Sequence, residues 1–399
     1  VNVPDAKGKN IIVYDLGGGT FDVTVVRIGS DPDKNEIDII CTEGDHMLGG
    51  KDWDDAIFNY YDEQFRNETG SEASLKDDNE TAYDLRLAAE NDKKTLTNRD
   101  KVSRRVSFDG EKVVVELTLE KFNELTDGLL EKTVTLTEAV LEQAKSRGIE
   151  KIDAFLLVGG STRMRQIESK IKEVFTPRLG VEPAACDVDE AVAKGAAIVG
   201  EFAAIKNYVF GGLGITPPGE TSGEDAPEPV MPTQEQIAQV AEATGKTEEE
   251  ILLAVSTSIT KVATKSYGIQ ALKDGKEIIR NLVIKQSPVP AAGSQVFKTA
   301  CANAEEIDLI VFANNESCEN AEPEMGEEIG RVVFPLPQNL PDRAPIEITF
   351  NLRDDGTLFM TALDQTYNQK IDANFQAAGV MSEEELAAAQ RQARSIIVD

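Results

Sequence analysis

The sequence is short of cysteine, histidine, tryptophan and basic charge, and each shortage removes a class of function. Its 399 residues include 4 cysteines, 1 histidine and 1 tryptophan. Cys41, Cys186, Cys301 and Cys318 are far apart in the chain, which argues against both a zinc site and a disulfide framework. His46 cannot build a metal cluster by itself, and as a polar turn residue it reads as having no chemistry. With 41 Lys and Arg against 71 Asp and Glu, the formal charge of −30 repels nucleic acid and anionic lipid and favours basic partners. No apolar run approaches membrane-spanning length, and the start has no basic segment leading into an apolar core. The expectation is a soluble, cytoplasmic protein of two to three domains, with neither nucleic acid nor membrane as a partner.

What is there is glycine, concentrated in two loops. Asp15-Leu16-Gly17-Gly18-Gly19-Thr20-Phe21-Asp22 lies between the apolar runs 11–14 and 23–28, so it reads as strand, tight turn and strand. Three successive glycines let backbone N–H groups approach an anion, while Thr20 adds a hydroxyl and Asp15 and Asp22 add carboxylates that could order a hydrated cation. The second loop, Val158-Gly159-Gly160-Ser161-Thr162-Arg163, follows the apolar run 152–158 and opens a helix, whose N-terminus favours ligand oxygens. Neither loop fits G-x-G-x-x-G or G-x-x-x-x-G-K-[ST], and the first leads into a strand where both patterns need a helix. Rossmann and P-loop enzymes are therefore disfavoured.

Together the two loops resemble the actin-like ATPase superfamily and, more closely, the DnaK-type seventy-kilodalton heat-shock chaperone family. In that family D-L-G-G-G-T-F-D holds terminal phosphates and V-G-G-S-T-R holds adenosine. The resemblance continues in Gly44-Asp45-His46-Met47-Leu48-Gly49-Gly50, followed by a helix with Trp53, Ile57 and Tyr61 on one face. Residues 85–97 resemble the family's adenosine-contacting helix. Glu90, Lys94 and Thr97 share one face, with Leu85, Ala89 and Leu96 roughly opposite. By resemblance the ligand is ATP or ADP with magnesium, and potassium is a further candidate. The implied contacts are Gly17, Gly18, Gly19, Thr20, Glu90, Lys93, Lys94, Thr97, Gly159, Gly160, Ser161, Arg163 and Asp189, with Asp15 and Asp22 for the metal. Lys94 stands where the family has one of its two adenine-stacking arginines, and a lysine stacks less well on a flat ring. Lys194 stands where an aromatic is common. Family members carry another phosphate loop, a catalytic lysine and a glutamate before the triple-glycine loop. None of these precedes it here, so the expectation is a fragment that alone binds nucleotide weakly and hydrolyses it near background.

Beyond residue 206 the pattern changes twice. Residues 1–206 alternate strands and helices as a mixed α/β lobe should, with a long helix over 120–145. The family's short leucine-rich linker has no clear counterpart in 207–218, and 211–231 is rich in glycine, proline and acid. Capping boxes at Thr233–Gln236 and Thr247–Glu250 then start two helices separated by Gly245, the second with Ile251, Val255 and Ile259 on one face. Residues 219–250 hold nine acids and one base, Lys246, which disfavours a DNA-reading helix pair and leaves a helical spacer.

Residues 266–376 alternate apolar and polar at period two, with Asp355-Gly356 as a hairpin turn, and read as an antiparallel β-sandwich. The region resembles the same family's peptide-binding domain. That resemblance implies a groove for unfolded or extended polypeptides, formed by Ile269, Leu272, Phe297, Ala300, Ile307 and Leu309. Residues 305–328 hold nine acids and no base, which predicts a preference for basic peptides. Residues 377–399 read as the start of a helical lid behind a capping box at Ser382. The expected fold is an actin-like α/β lobe (1–206), a linker with an acidic helical insert (207–265), a β-sandwich (266–376) and the lid. The expected function is that of a divergent chaperone, with a J-domain co-chaperone and a nucleotide exchange factor as candidate partners. An actin-like-fold small-molecule kinase and a nonhydrolytic chaperone regulator are the alternatives.

Overall fold

The structure, a computed structural model, describes residues 6–31, 35–211, 231–299, 305–353 and 355–376. Most of the expected linker, Ala300 and the lid lie outside these residues. The chain divides into two units, Val1–Ile259 and Thr260–Asp399.

The first unit is built on the hairpin that the triple glycine implies. β1 (Asn10–Leu16) and β2 (Phe21–Ile28) pair antiparallel with Asp15 opposite Asp22 and Leu16 opposite Phe21. Alternation buries Ile12, Tyr14 and Leu16 from one strand and Phe21, Val23 and Val25 from the other. β3 (Asn35–Asp45) continues the antiparallel ladder, whereas β6 (Ala154–Val158) pairs parallel with β1 and carries β7 (Pro183–Ala185) beside it. The resulting order β3-β2-β1-β6-β7 sets the turn after β1 next to the turn after β6. Both glycine loops therefore leave one edge of one sheet.

Five helices pack around this sheet and its loops, and the first two of them wall the opening. α1 (Gly50–Thr69) buries Trp53, Ile57 and Tyr61, and the Gly49 amide donates to Asp52 Oδ2 at 2.7 Å to close its first turn. α2 (Asn79–Leu96) starts at the Asp78 N-cap and buries Leu85, Ala89 and Leu96. Its Asp92 accepts from Tyr61 Oη at 2.8 Å and from Arg104 Nε and Nη2 at 2.8 and 2.5 Å. Arg104 comes from β4 (Lys101–Phe108), which forms a hairpin with β5 (Glu111–Thr118). This buried charge network anchors α2, so the adjacent Lys93 and Lys94 are held in place. α3 (Leu119–Ser146) spans the expected 120–145, and Thr133 on it accepts from the buried Tyr14 hydroxyl at 2.8 Å. α4 (Arg165–Leu179) follows β6, and α5 (Ala191–Lys206) follows β7.

The helices expected as a separate insert belong to this unit. α6 (Gln234–Thr244) and α7 (Glu248–Ser256) both carry the capping boxes read from the sequence, with Gly245 left-handed between them. Their Ile237, Val240, Ile251, Ala254 and Val255 share a small core with Ile205, Val209 and Phe210, and that core ties them to the end of α5. α7 also stops short of Ile259. Thr257 Oγ1 donates back to the Leu253 carbonyl at 2.6 Å, and the β-branched run from Thr257 continues as β8 (Thr257–Val262). Among the described residues no helix is long and apolar enough to cross a membrane.

The second unit is antiparallel. β9 (Ser266–Lys273), β10 (Lys276–Val283), β13 (Glu306–Asn314) and β15 (Gly326–Pro335), with short β14 (Asn320–Ala321), form one sheet. β12 (Ala291–Lys298), β16 (Pro345–Leu352), β17 (Thr357–Asp364) and β18 (Gln369–Gln376) form another, while β11 (Pro288–Val289) pairs with β8. Inward residues of both sheets, among them Tyr267, Ile269, Leu309, Val311, Phe334, Ile348, Phe350 and Met360, make one core. The Asp355-Gly356 turn joins β16 to β17, with Gly356 at φ 84°.

Candidate functional site

The two glycine loops touch through backbone. Gly159 has φ +85°, and a Cβ there would lie 2.6 Å from Asp15 Oδ1 and closer still to the Leu16 carbonyl, so only glycine fits. Ser161 Oγ then donates to the Gly17 carbonyl at 2.9 Å. The start of α1 binds the same loop, with Gly50 N donating to Gly17 O at 2.9 Å and Lys51 N to Gly18 O at 2.8 Å. Lys93 reaches across from α2, donating to the Gly50 carbonyl at 2.7 Å and lying 2.9 Å from Asp54. Loop, loop, α1 and α2 are thus laced around one opening.

That opening is a pocket of about 580 Å³ lined by Gly18, Gly50, Lys51, Asp54, Glu90, Lys93, Lys94, Thr97, Gly160, Ser161, Arg163, Met164 and Asp189. Nine of the expected ligand contacts line it: Gly18, Glu90, Lys93, Lys94, Thr97, Gly160, Ser161, Arg163 and Asp189. Gly17, Gly19, Thr20 and Gly159 stand outside the lining. Gly17 and Gly159 instead shape the walls from behind. The second loop does not open directly into a long helix, because Gly160–Arg163 forms a short 3-10 turn before α4 begins at Arg165. Lys51, Asp54 and Met164 are not singled out in the sequence, and Gly50 stands there only as the end of the Gly44–Gly50 turn motif, not as a ligand contact. A glycine pair and a charged run at a helix start were the only local signals available for Gly50, Lys51 and Asp54.

Charge in the pocket is mostly paired. Lys94 lies 2.6 Å from Glu90, and Arg163 lies 2.5 Å from Asp189. The Lys94 bond holds the Glu90 carboxyl below its ordinary range, and the same bond raises Lys94. Burial pushes Asp54 up, against the pull of Lys93. Beside the pocket, burial raises both Asp15 and Asp22. The charge of Asp22 adds to the effect on Asp15, while His46 works against it at Asp22. Two partly desolvated carboxylates opposite each other in register suit a cation. Among the described residues no group of three or more His, Cys, Asp or Glu is arranged to hold a metal by itself. Lys194, at the position where an aromatic was noted, pairs with Asp187 at 2.5 Å and Glu190 at 2.7 Å.

The expected groove residues in the second unit distribute differently. Ile269 and Leu309 are 2% and 3% exposed and belong to the sandwich core. Phe297 and Ile307 are half-buried against that core, and Leu272 is 65% exposed. Period-two geometry explains the split, because Leu272 is three residues from Ile269 on β9 and so takes the opposite face. Ile269 and Leu309 consequently offer no surface to a ligand.

A strand hairpin and a strand-to-helix turn meeting over one anion-friendly pocket define an actin-like nucleotide-binding lobe. A family model described as Hsp70 protein matches residues 3–209, just over half of the chain. The chain belongs to the Hsp70 family. At the family level this carries chaperone-type function, nucleotide binding and unfolded polypeptide as the substrate class.

Proposed function

We propose that the protein is an ATP-dependent chaperone that holds ATP or ADP in the pocket of the first unit and extended apolar peptides on the second. The pocket carries the nucleotide reading: Gly18 and Gly160, one from each glycine loop, line the same cavity as Lys93, Thr97 and Arg163. In this reading the Gly18 side receives phosphate and the Lys94, Thr97 and Arg163 side receives adenosine. Lys94 and Arg163 flank the base, with the lysine the weaker partner for a flat ring. Magnesium would be carried by the phosphates beside Asp15 and Asp22 and complete its shell with water, as a hard cation does, and potassium is a second candidate ion. A J-domain co-chaperone and a nucleotide exchange factor are the proposed protein partners.

The peptide reading is supported by the antiparallel sandwich with Leu272, Phe297 and Ile307 accessible in whole or part. Extended peptides bind such domains through backbone hydrogen bonds, with side-chain pockets setting selectivity.

The test is Gly160→Val. A Cβ at Gly160 meets only Asp189 Oδ1 at 3.5 Å, so the backbone tolerates it while the branched side chain enters the cavity. Titration calorimetry with ADP and magnesium should show weak binding by the wild type and none by a folded Gly160→Val protein. Retained affinity in that variant would place the nucleotide elsewhere.

A further inference from the structure

Of the four cations lining the pocket, three have carboxylate partners inside the same lining: Lys93 with Asp54, Lys94 with Glu90 and Arg163 with Asp189. The fourth, Lys51, has none among the described residues, and its side chain is exposed. Once the three pairs cancel, the pocket keeps one positive charge, in a chain whose formal charge is −30. An anion approaching this protein meets long-range repulsion, so attraction has to be local, within about 8–10 Å at ordinary ionic strength.

The position of Lys51 sharpens the point. It is the second residue of α1, a 20-residue helix, and its own amide is spent on the Gly18 carbonyl. A cation in the first turn opposes the helix dipole, which favours acids there. Asp52, the next residue, obeys that preference and closes the turn onto Gly49. Lys51 breaks a local rule with no compensating side-chain contact among the described residues, which is the pattern expected where a residue serves a ligand. Its amide bond to the Gly18 carbonyl sets it against the triple-glycine loop, the side of the lining to which Gly18 belongs.

We infer that Lys51 is a specificity-determining residue of this pocket, binding the phosphate chain of the nucleotide and making the site select ligands by their anionic charge. This rests on the nucleotide reading given above. The other three lining cations already have carboxylate partners, so this lysine is the lining cation left to favour a nucleoside diphosphate over its nucleoside.

The experiment compares wild type with Lys51→Gln in the full chain, titrating ADP and adenosine separately, with thermal melting as the folding control. Adenosine has no phosphate and serves as the internal reference. Losing one exposed charge contact should lower the ADP-to-adenosine affinity ratio by about threefold to fivefold. The ratio should fall more steeply with added salt in the wild type than in the variant, which keeps only the chain's net repulsion. The melting temperature should hold or rise slightly, since a misplaced helix-terminal charge is removed. An unchanged ratio, or equal losses for both ligands, overturns the role of Lys51 and leaves the nucleotide reading standing. If the wild type binds neither ligand at millimolar concentration, the nucleotide reading fails and the inference falls with it.

Discussion

In the first unit nine of the thirteen candidate ligand contacts gather around a cavity, whereas in the second two of the five described candidates turn inward and become core. The difference follows from the kind of element that carries them. Gly18, Gly160, Ser161 and Arg163 sit on loops whose backbone has no ladder to satisfy, so a motif there can be kept for a ligand. Ile269 and Leu309 sit mid-strand in a two-sheet sandwich, where alternation and the demand for a core decide which way each side chain points. Motif resemblance is thus a better guide to function on loops than on strands.

The largest effect is expected from placing the same charge on the two faces of β9. Ile269→Asp should unfold the second unit, costing roughly 4 kcal/mol or more for an unpaired buried charge, and differential scanning calorimetry would show its transition lost. Leu272→Asp, on the exposed face, should leave that transition near its wild-type temperature and weaken peptide binding measured by fluorescence anisotropy. If both variants fold equally well, the core assignment of Ile269 is wrong.

A second contrast lies between neighbouring glycines. Gly159→Val meets both a left-handed backbone and the Leu16 carbonyl, so a loss of about 2–5 kcal/mol is expected, read as a lowered melting temperature of the first unit. Gly160→Val should melt close to wild type. Reversal of that order would mean the loops do not meet as described.

A third, smaller effect concerns pH. Burial raises Asp15 and Asp22 above the ordinary value of 3.8, so folding favours their protonated forms. The stability tied to these groups is fully present below that value and is lost as pH rises through the raised one. Without added cation, Asp22→Asn should therefore melt higher than wild type at pH 7, and the gap should close as pH falls towards 4. A gap that widens on acidification would contradict the sign.

The smallest effect belongs to the acidic stretch 305–328. Its Asp308 and Glu328 both approach Arg331, at 3.9 and 3.5 Å, while Glu319 meets Arg280 and Glu327 meets Lys265. Four of the nine acids are thus partly neutralised within the domain, and lysine-flanked peptides should outbind glutamate-flanked ones by only about twofold to fivefold at low salt. Anisotropy titrations at two salt concentrations would measure it. Equal affinities at low salt would remove any role for the stretch in selection.

The hairpin, the strand-to-helix turn, the α1 face of Trp53, Ile57 and Tyr61, both capping boxes and the alternation of the sandwich were all legible in the sequence, because each is fixed by neighbours a few residues apart. What was not legible depends on distant partners. Lys51 reads as one more charge on an exposed helix start until Gly18 is found against it. The helices at 234–256 read as a spacer because the surface that receives them, Ile205 with Val209 and Phe210, looks like the end of one helix and a linker. Ile259 was placed on a helix by its spacing from Val255, but the run of Thr257, Ile259, Thr260 and Val262 favours extended backbone.

The lacing of the first glycine loop has a consequence for solvent. Its Gly17 and Gly18 carbonyls face inward onto Ser161, Gly50 and Lys51, so the amides of Gly50 and Lys51 are bonded before any ligand arrives. Those of Gly18 and Gly19 have no partner among the described residues. In deuterated water the first pair should exchange slowly with or without ADP, while the second should exchange at once and slow only when a phosphate takes the place of water. The loop would then report its own occupancy, amide by amide.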